Sequence, residues 1–116
     1  FAQRGAIAAL KGSKDCVKRM ASIYNERRIF IRQRLSKVEN ISFVPPQGAF
    51  YVFPEIKLNG MDSISFCKQA LEKVGLAIVP GLAFGDNKCI RISYATSIEI
   101  INDGLIRLER LLEDFN

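Results

Sequence analysis

The feature that most constrains the fold is an arginine in the middle of an apolar strand pattern. Arg91 is flanked by Ile90 and Ile92, and the pattern runs from Cys89 to Ala95. A guanidinium keeps its charge at physiological pH, so inside such a strand it needs an anionic partner. The partner is either a carboxylate of the fold or an anion of a ligand, and the residues leave both open.

Hydrophobic periodicity and turn residues predict four helices and four short strands. The predicted helices span 1–11, 13–38, about 62–74 and a last segment opened by Thr96-x-x-Glu99, while the predicted strands span 41–44, 49–53, 76–79 and 89–95, with a loop over 56–60. This order predicts an α+β fold, in which helices pack on one face of a small, largely antiparallel sheet of about four strands. At 116 residues, the chain is expected to form a single domain over 1–116.

The composition narrows the classes of function. The net charge is +5, but the 17 basic residues are spread among 12 acidic ones, so neither nucleic-acid binding nor a phosphate clamp at Arg27 and Arg28 is predicted. No apolar run approaches the roughly 20 residues of a membrane span. The chain has no histidine, and its three cysteines (Cys16, Cys67 and Cys89) are widely spaced, so we expect no metal site and reduced thiols. Neither a histidine-dependent catalytic set nor a desolvated lysine is visible.

Three stretches, taken in order, carry a resemblance to a known family. They are Phe1-Ala2-Gln3-x-x-Ala6-x-x-Ala9-Leu10, then Pro46-Gln47-Gly48-Ala49-Phe50-Tyr51-Val52-Phe53, then Val79-Pro80-Gly81-x-x-Phe84-Gly85 with Ile90-Arg91-Ile92-Ser93-Tyr94-Ala95. Together they resemble the C-terminal small domain of class I aminotransferases that depend on pyridoxal 5'-phosphate (PLP), the aspartate aminotransferase-like group. The resemblance runs from residue 1 to the end. It implies that residues 1–38 are a helical lead-in from a large domain that would precede Phe1 in a longer protein.

The resemblance also implies which residues bind substrate. In the family, the arginine at the Arg91 position binds the substrate's α-carboxylate. A planar, permanently charged guanidinium suits this role. The aromatic at the Phe50 position lines the pocket, and Gly48 lies just before it. From the residues alone, Phe50 fits a core aromatic equally well, and Gly48 fits a turn glycine. Tyr94 is interpreted as a packing and hydrogen-bonding residue.

The implied activity is the transfer of an amino group between an amino acid, aspartate-like or aromatic, and a 2-oxo acid. In the family, the PLP lysine and the other cofactor-binding groups belong to the large domain, so no catalytic, cofactor-binding or metal-binding residue is assigned here. The fragment is therefore expected to be inactive alone, and to belong to a cytoplasmic homodimer in the full-length protein. Two alternatives remain: a non-enzymatic carboxylate-binding module, or another PLP enzyme of fold-type I, a lyase or decarboxylase.

Overall fold

The computed structural model describes residues 1–57 and 60–115. Their elements are α1 (Ala2–Lys11), α2 (Asp15–Leu35), β1 (Ile41–Ser42), β2 (Tyr51–Val52), β3 (Glu55–Ile56), α3 (Ser63–Val74), β4 (Val79–Pro80), a short 3₁₀-helix (Gly81–Phe84), β5 (Ile90–Ser93) and α4 (Ile98–Glu113). The α+β prediction is confirmed. The loop predicted over 56–60 starts inside β3, and its residues 58 and 59 lie outside the described residues.

The strands form a three-stranded sheet in the order β2-β5-β4 and a β1-β3 pair. An antiparallel bridge between Glu55 and Cys89 joins β3 to the residues that lead into β5. Every pairing among the described strands is antiparallel, where the prediction was a largely antiparallel sheet of about four strands. In the larger sheet Tyr51 is paired with Ser93, and Val79 with Arg91. Because side chains alternate along a strand, these residues share one face of the sheet.

The opposite face of this sheet is covered by the helices. Val52 and Ile90 point into a core that α2, α3 and α4 complete. The helical members of the core come from one stripe of each helix: Ile31 and Leu35 of α2, Phe66, Cys67 and Ala70 of α3, and Ile101, Leu105, Leu108, Leu111 and Leu112 of α4. The helices therefore pack on one face only, which leaves the face with Arg91 open to other partners.

The ends of α3 and the start of α4 follow local capping rules, and three predicted ends need correction. Helix α2, predicted from residue 13, begins at Asp15 and has no side-chain cap. Asp62 caps α3 by accepting the Ser65 amide at 2.7 Å, and Gly75 ends it with φ +64°. Helix α2 ends at Leu35, three residues before the predicted Val38. Helix α4 is capped by Ser97, whose side chain accepts the Ile100 amide, and not by Thr96 as the capping-box pattern predicted.

The strands are shorter than predicted: the segments 41–44, 76–79 and 89–95 become Ile41–Ser42, Val79–Pro80 and Ile90–Ser93. Pro80, expected to end its strand, is paired with Ile90. The segment 49–53 contributes only Tyr51–Val52, because Ala49 has φ +62° and cannot continue a strand. Strand β3 was not predicted, because Pro54 was expected to end the strand region. After Pro54, Glu55 and Ile56 instead pair with Ser42 and Ile41. Within the described ranges, no helix is long and apolar enough to cross a membrane.

Candidate functional site

Arg91 lies at the centre of the open sheet face. Strand β5 runs between β2 and β4, so its middle residue is supported on both sides by backbone pairing. The side chain is half-buried. A central strand is the most rigid place in such a sheet, and it fixes the base of a long side chain that would otherwise be flexible.

Two aromatic rings hold the guanidinium of Arg91. Its central carbon lies 4.5 Å from the centre of the Phe84 ring and 5.5 Å from that of Tyr51. Phe53 packs edge-on against Phe84, with ring centres 5.9 Å apart. Such cation–π contacts contribute about 0.5–2 kcal/mol each and orient the group without neutralising its charge.

The guanidinium has no anionic partner in the described part of the chain. Arg91 makes no ion pair and no hydrogen bond with residues 1–57 or 60–115. Its N–H donors, five in a guanidinium, are therefore available to a planar anion. Of the two partners considered for Arg91, a carboxylate of the fold is not found among residues 1–57 and 60–115.

The 3₁₀-helix that carries Phe84 depends on Gly81. A Cβ atom at Gly81 would lie 2.2 Å from the Cys89 carbonyl oxygen and 2.3 Å from that of Asp86. The Gly81 amide donates to the Cys89 carbonyl at 2.8 Å, closing the connection between β4 and β5. Ser63, fully buried, adds a second tie, because its hydroxyl oxygen accepts the Leu82 amide at 3.2 Å. These contacts place the Phe84 ring over Arg91.

Phe50 and Gly48 lie on an irregular loop, residues 46–50, next to this face. Phe50 is 53% exposed, so it is not a core aromatic in this structure. Its ring packs edge-on against Tyr51 at 5.7 Å, and Tyr51 in turn contacts Arg91. Gly48 is exposed, and a Cβ added there would have nothing within 4 Å in the described structure.

The sequence-predicted residues are thus linked through residues that sequence reasoning did not assign. Tyr51 joins Phe50 to Arg91, and Phe84 covers Arg91 from the turn. Tyr51 and Val52 are neighbours on β2, so their side chains point to opposite faces of the sheet. Only the register of β2 with β5 shows that Tyr51 is the one on the face of Arg91. Phe84 belongs to the third stretch that resembles the family, but nothing in the sequence indicates that its ring faces Arg91.

A second feature of this region is a cleft of about 530 Å³ between α2 and the loop. Met20, Asn25 and Arg28 line it from the helix, and Gln47 to Phe50 line it from the loop. It is open and mostly apolar, and Arg28 is tied to the loop through the Pro46 carbonyl at 2.9 Å. Two of the three predicted substrate residues, Gly48 and Phe50, therefore line the cleft, whereas Arg91 does not.

The residues of this chain do not fit a covalently held cofactor. Every lysine is exposed, so none is the desolvated amine that a Schiff base requires. Among the described residues, no group of three His, Cys, Asp or Glu side chains is placed to bind a metal. What the site can do is hold a carboxylate on Arg91 beside an aromatic wall.

Comparison with known proteins supports the same family. The sequence profile described as "Aminotransferase class I and II" matches residues 1–106. The chain is 41% identical over 117 residues to aspartate aminotransferase of Pyrococcus horikoshii, and 36% identical over 127 residues to that of Pinus pinaster. In both cases 97% of this chain is matched, but only 30% and 25% of the relative.

Solved structures of related enzymes have the same fold. Aspartate aminotransferase from Thermotoga maritima superposes with a TM-score of 0.86 at 38% identity, over 97% of this chain and 28% of that one. Alanine aminotransferase from Pyrococcus furiosus gives 0.89 at 33% identity, over 97% and 30%. The fold, the profile match and the relatives agree: the chain belongs to the class I and II aminotransferase family.

Proposed function

We propose that this chain is the small domain of a PLP-dependent aminotransferase, and that Arg91 binds the α-carboxylate of the substrate. The reaction moves an amino group between an amino acid, aspartate-like or aromatic, and a 2-oxo acid. The observation that carries the proposal is the Arg91 guanidinium. It is fixed by a central strand and two rings, and it has no anionic partner in the described chain.

The role of Arg91 is positioning. Two parallel hydrogen bonds to a carboxylate fix both the place and the plane of that group, which a lysine cannot do. With the carboxylate fixed, rotation about the bond to the α-carbon is restricted, and the reacting bond is held in one direction. Phe50 and Gly48 would close the site from the loop and exclude water near the substrate.

PLP, when bound, supplies the electron sink for the amino transfer. The exposed lysines of this chain support the expectation that its attachment lies in a large domain. The relatives are more than three times longer than the matched part, which leaves room for such a domain. We propose that residues 1–38 lead in from it, that the 116-residue chain is inactive alone, and that the full enzyme is a homodimer.

We also propose that the full-length enzyme is cytoplasmic. Cys16, Cys67 and Cys89 are all unpaired thiols in this structure. Free thiols are the usual state in a reducing compartment, whereas secreted domains of this size often use disulfides. A cytoplasmic enzyme fits this pattern.

The test is direct transfer of a labelled amino group. The parent protein would be loaded with PLP and given isotopically labelled L-aspartate, L-alanine or L-phenylalanine with 2-oxoglutarate. We expect labelled glutamate, detected by mass spectrometry, and none from the 116-residue chain. Loss of the carboxylate as carbon dioxide would instead indicate a decarboxylase, and release of the amino group without transfer a lyase. Carboxylate binding with no bound PLP would indicate the binding module.

A further inference from the structure

The loop 46–50 is held almost entirely through its backbone carbonyls. Donors from outside the loop reach the carbonyl oxygens of Pro46, Gly48, Ala49 and Phe50. Two places in the fold supply these donors, the middle of α2 and the end of β5. The conformation of the loop is therefore set by distant side chains as well as by its own sequence.

Tyr94 supplies the contact at the β5 end. Its hydroxyl donates towards the Gly48 carbonyl at 3.0 Å and lies 3.3 Å from that of Ala49, while its amide donates to the Phe50 carbonyl at 2.8 Å. The side chain is 0% exposed, although it sits directly under an exposed loop. Burial raises the pKa of Tyr94, so the hydroxyl keeps the proton that it donates.

Arg28 supplies the contact from α2. One terminal nitrogen donates to the Pro46 carbonyl at 2.9 Å. The other donates to the Asn25 side-chain oxygen at 2.7 Å, and Nε donates to the same oxygen at 3.1 Å. Asn25, one helical turn earlier, thus fixes the plane of the guanidinium and directs its free edge at the loop.

The loop needs this support because of Ala49. Its φ of +62° lies in the left-handed region, which a residue with a Cβ adopts at a cost. This residue separates Gly48 from Phe50, so its conformation decides where the Phe50 ring points. Without the outside donors, a chain with alanine at this position would favour a more extended path, and the ring would move.

We propose that Tyr94 and Arg28 are positioning residues for substrate selection: they fix the loop so that Gly48 and Phe50 stand at a defined place beside Arg91. The inference rests on the proposed function, since it assigns a use to the loop in that reaction. The hydroxyl of Tyr94 and the guanidinium of Arg28 act through the loop and do not contact the substrate themselves.

The first test measures selectivity in the PLP-loaded parent protein. Tyr94→Phe removes one hydroxyl. Arg28→Lys keeps the positive charge but loses the planar guanidinium that contacts both Asn25 and Pro46. For each variant, kcat and KM are measured separately with L-phenylalanine and L-alanine as donors. We expect the ratio of the two kcat/KM values to change by roughly three- to tenfold, mainly through KM. A purely structural role would lower the thermal midpoint and leave this ratio unchanged.

Arg27→Lys is the matched control. Arg27 is the neighbouring arginine of α2, and its guanidinium lies over the Tyr24 ring, 5.3 Å from the centre, without reaching the loop. The ratio should stay at the wild-type value in this variant. An unchanged ratio in Tyr94→Phe and Arg28→Lys, in an active enzyme, overturns the inference.

A second readout does not depend on activity. Chymotrypsin cleaves after aromatic residues, and Phe50 and Tyr51 lie at the end of the loop. We expect native-state cleavage there to be several-fold faster in Tyr94→Phe than in wild type, with cleavage after Phe43 unchanged. Equal cleavage at the loop overturns the inference even if the parent shows no amino transfer. Faster cleavage in an inactive parent supports the role of Tyr94 in holding the loop, while the proposed function fails.

Discussion

Arg91 is charged, half-buried and unpaired within the described chain, a combination that folding alone does not favour. A half-buried guanidinium costs desolvation that a structural ion pair would normally offset. In this structure the Phe84 and Tyr51 rings, centred 4.5 and 5.5 Å from the central carbon of the guanidinium, offset part of that desolvation cost. They leave its N–H groups open. This combination supports the proposal that Arg91 binds an anion from outside the described chain, since binding sites commonly keep such groups at some expense of stability.

Gly48 offers a clean test at the same scale. Its added Cβ would meet nothing within 4 Å, and its φ is not in the left-handed region. We expect Gly48→Ala to leave the thermal midpoint within about 2 °C, because no atom of the described structure is displaced. The KM for an amino acid donor should nevertheless rise about tenfold, since the methyl group would occupy space next to the substrate.

Gly5→Ala in α1 is the control for that substitution. This glycine also has open space around it, but it lies in a helix interior, where alanine stabilises by about 0.5–1 kcal/mol. The control should therefore keep the wild-type KM. A Gly48→Ala enzyme with unchanged KM would mean that Gly48 is only a turn residue.

At the scale of elements, the helices were predictable and the strands were less so. The helices carry their signals locally: apolar stripes, Asp62 as a cap, and Gly75 with positive φ as a stop. Some helix ends differ from the prediction. Helix α4 is capped by Ser97 and not by Thr96. Helix α2 passes into turns after Leu35, where the Lys37 and Val38 amides donate to the Arg34 and Leu35 carbonyls at 3.1 Å.

Strands of two to four residues have too few side chains to show alternation. The pairing of β3 with β1 could not be seen in the sequence, since it joins residues on either side of the 46–50 loop. The same limit applies to the site. The candidate residues came from the resemblance, whereas their connection through Tyr51 follows from the register of β2 with β5.

Cys67 in α3 and Cys89, which directly precedes β5, give a prediction about pH. Burial raises the pKa of Cys67 to about 11, and burial together with a hydrogen bond to Asp86 does the same for Cys89, against an ordinary value of 9.0. Both thiols thus ionise less readily in the folded state than in the unfolded state. Their contribution to stability is full below about pH 9 and is lost as the pH rises through about 11.

Alkylation measures this directly. At pH 8 we expect iodoacetamide to leave Cys67 and Cys89 unmodified in the native parent protein, and to modify both after unfolding, because the thiolate is the reacting form. Peptide mass spectrometry would identify each site. Rapid native labelling of Cys67 at pH 8 would show that α3 does not pack as described.

At the scale of the whole molecule, residues 1–23 stand apart from the core. The chain measures 54 × 26 × 24 Å, and every residue from 1 to 23 is exposed. The exposed side chains include Phe1, Ile7, Leu10, Val17 and Met20. An apolar surface of this kind is expected to be covered, and under the proposed function the large domain covers it.

This arrangement predicts a difference between the 116-residue chain and its parent. Helix α1 has ten residues and buries none of them, so it is marginal without a partner surface. In hydrogen exchange, we expect the α1 amides to exchange rapidly in the 116-residue chain and to be protected in the parent, while α4 is protected in both. Equal protection of α1 in the two proteins would contradict the proposed packing.

The central claim is that Arg91 binds the substrate's α-carboxylate, and one comparison tests it most directly. In the PLP-loaded parent, kcat/KM is measured for L-phenylalanine and for phenethylamine, the same donor without its carboxylate. Wild type should prefer the amino acid, and Arg91→Ala should lose about 2–4 kcal/mol of that preference, roughly 30- to 1,000-fold. Arg110→Ala, on the exposed side of α4, should keep the full preference. If Arg91→Ala retains bound PLP and prefers the amino acid as strongly as wild type does, Arg91 does not bind the carboxylate.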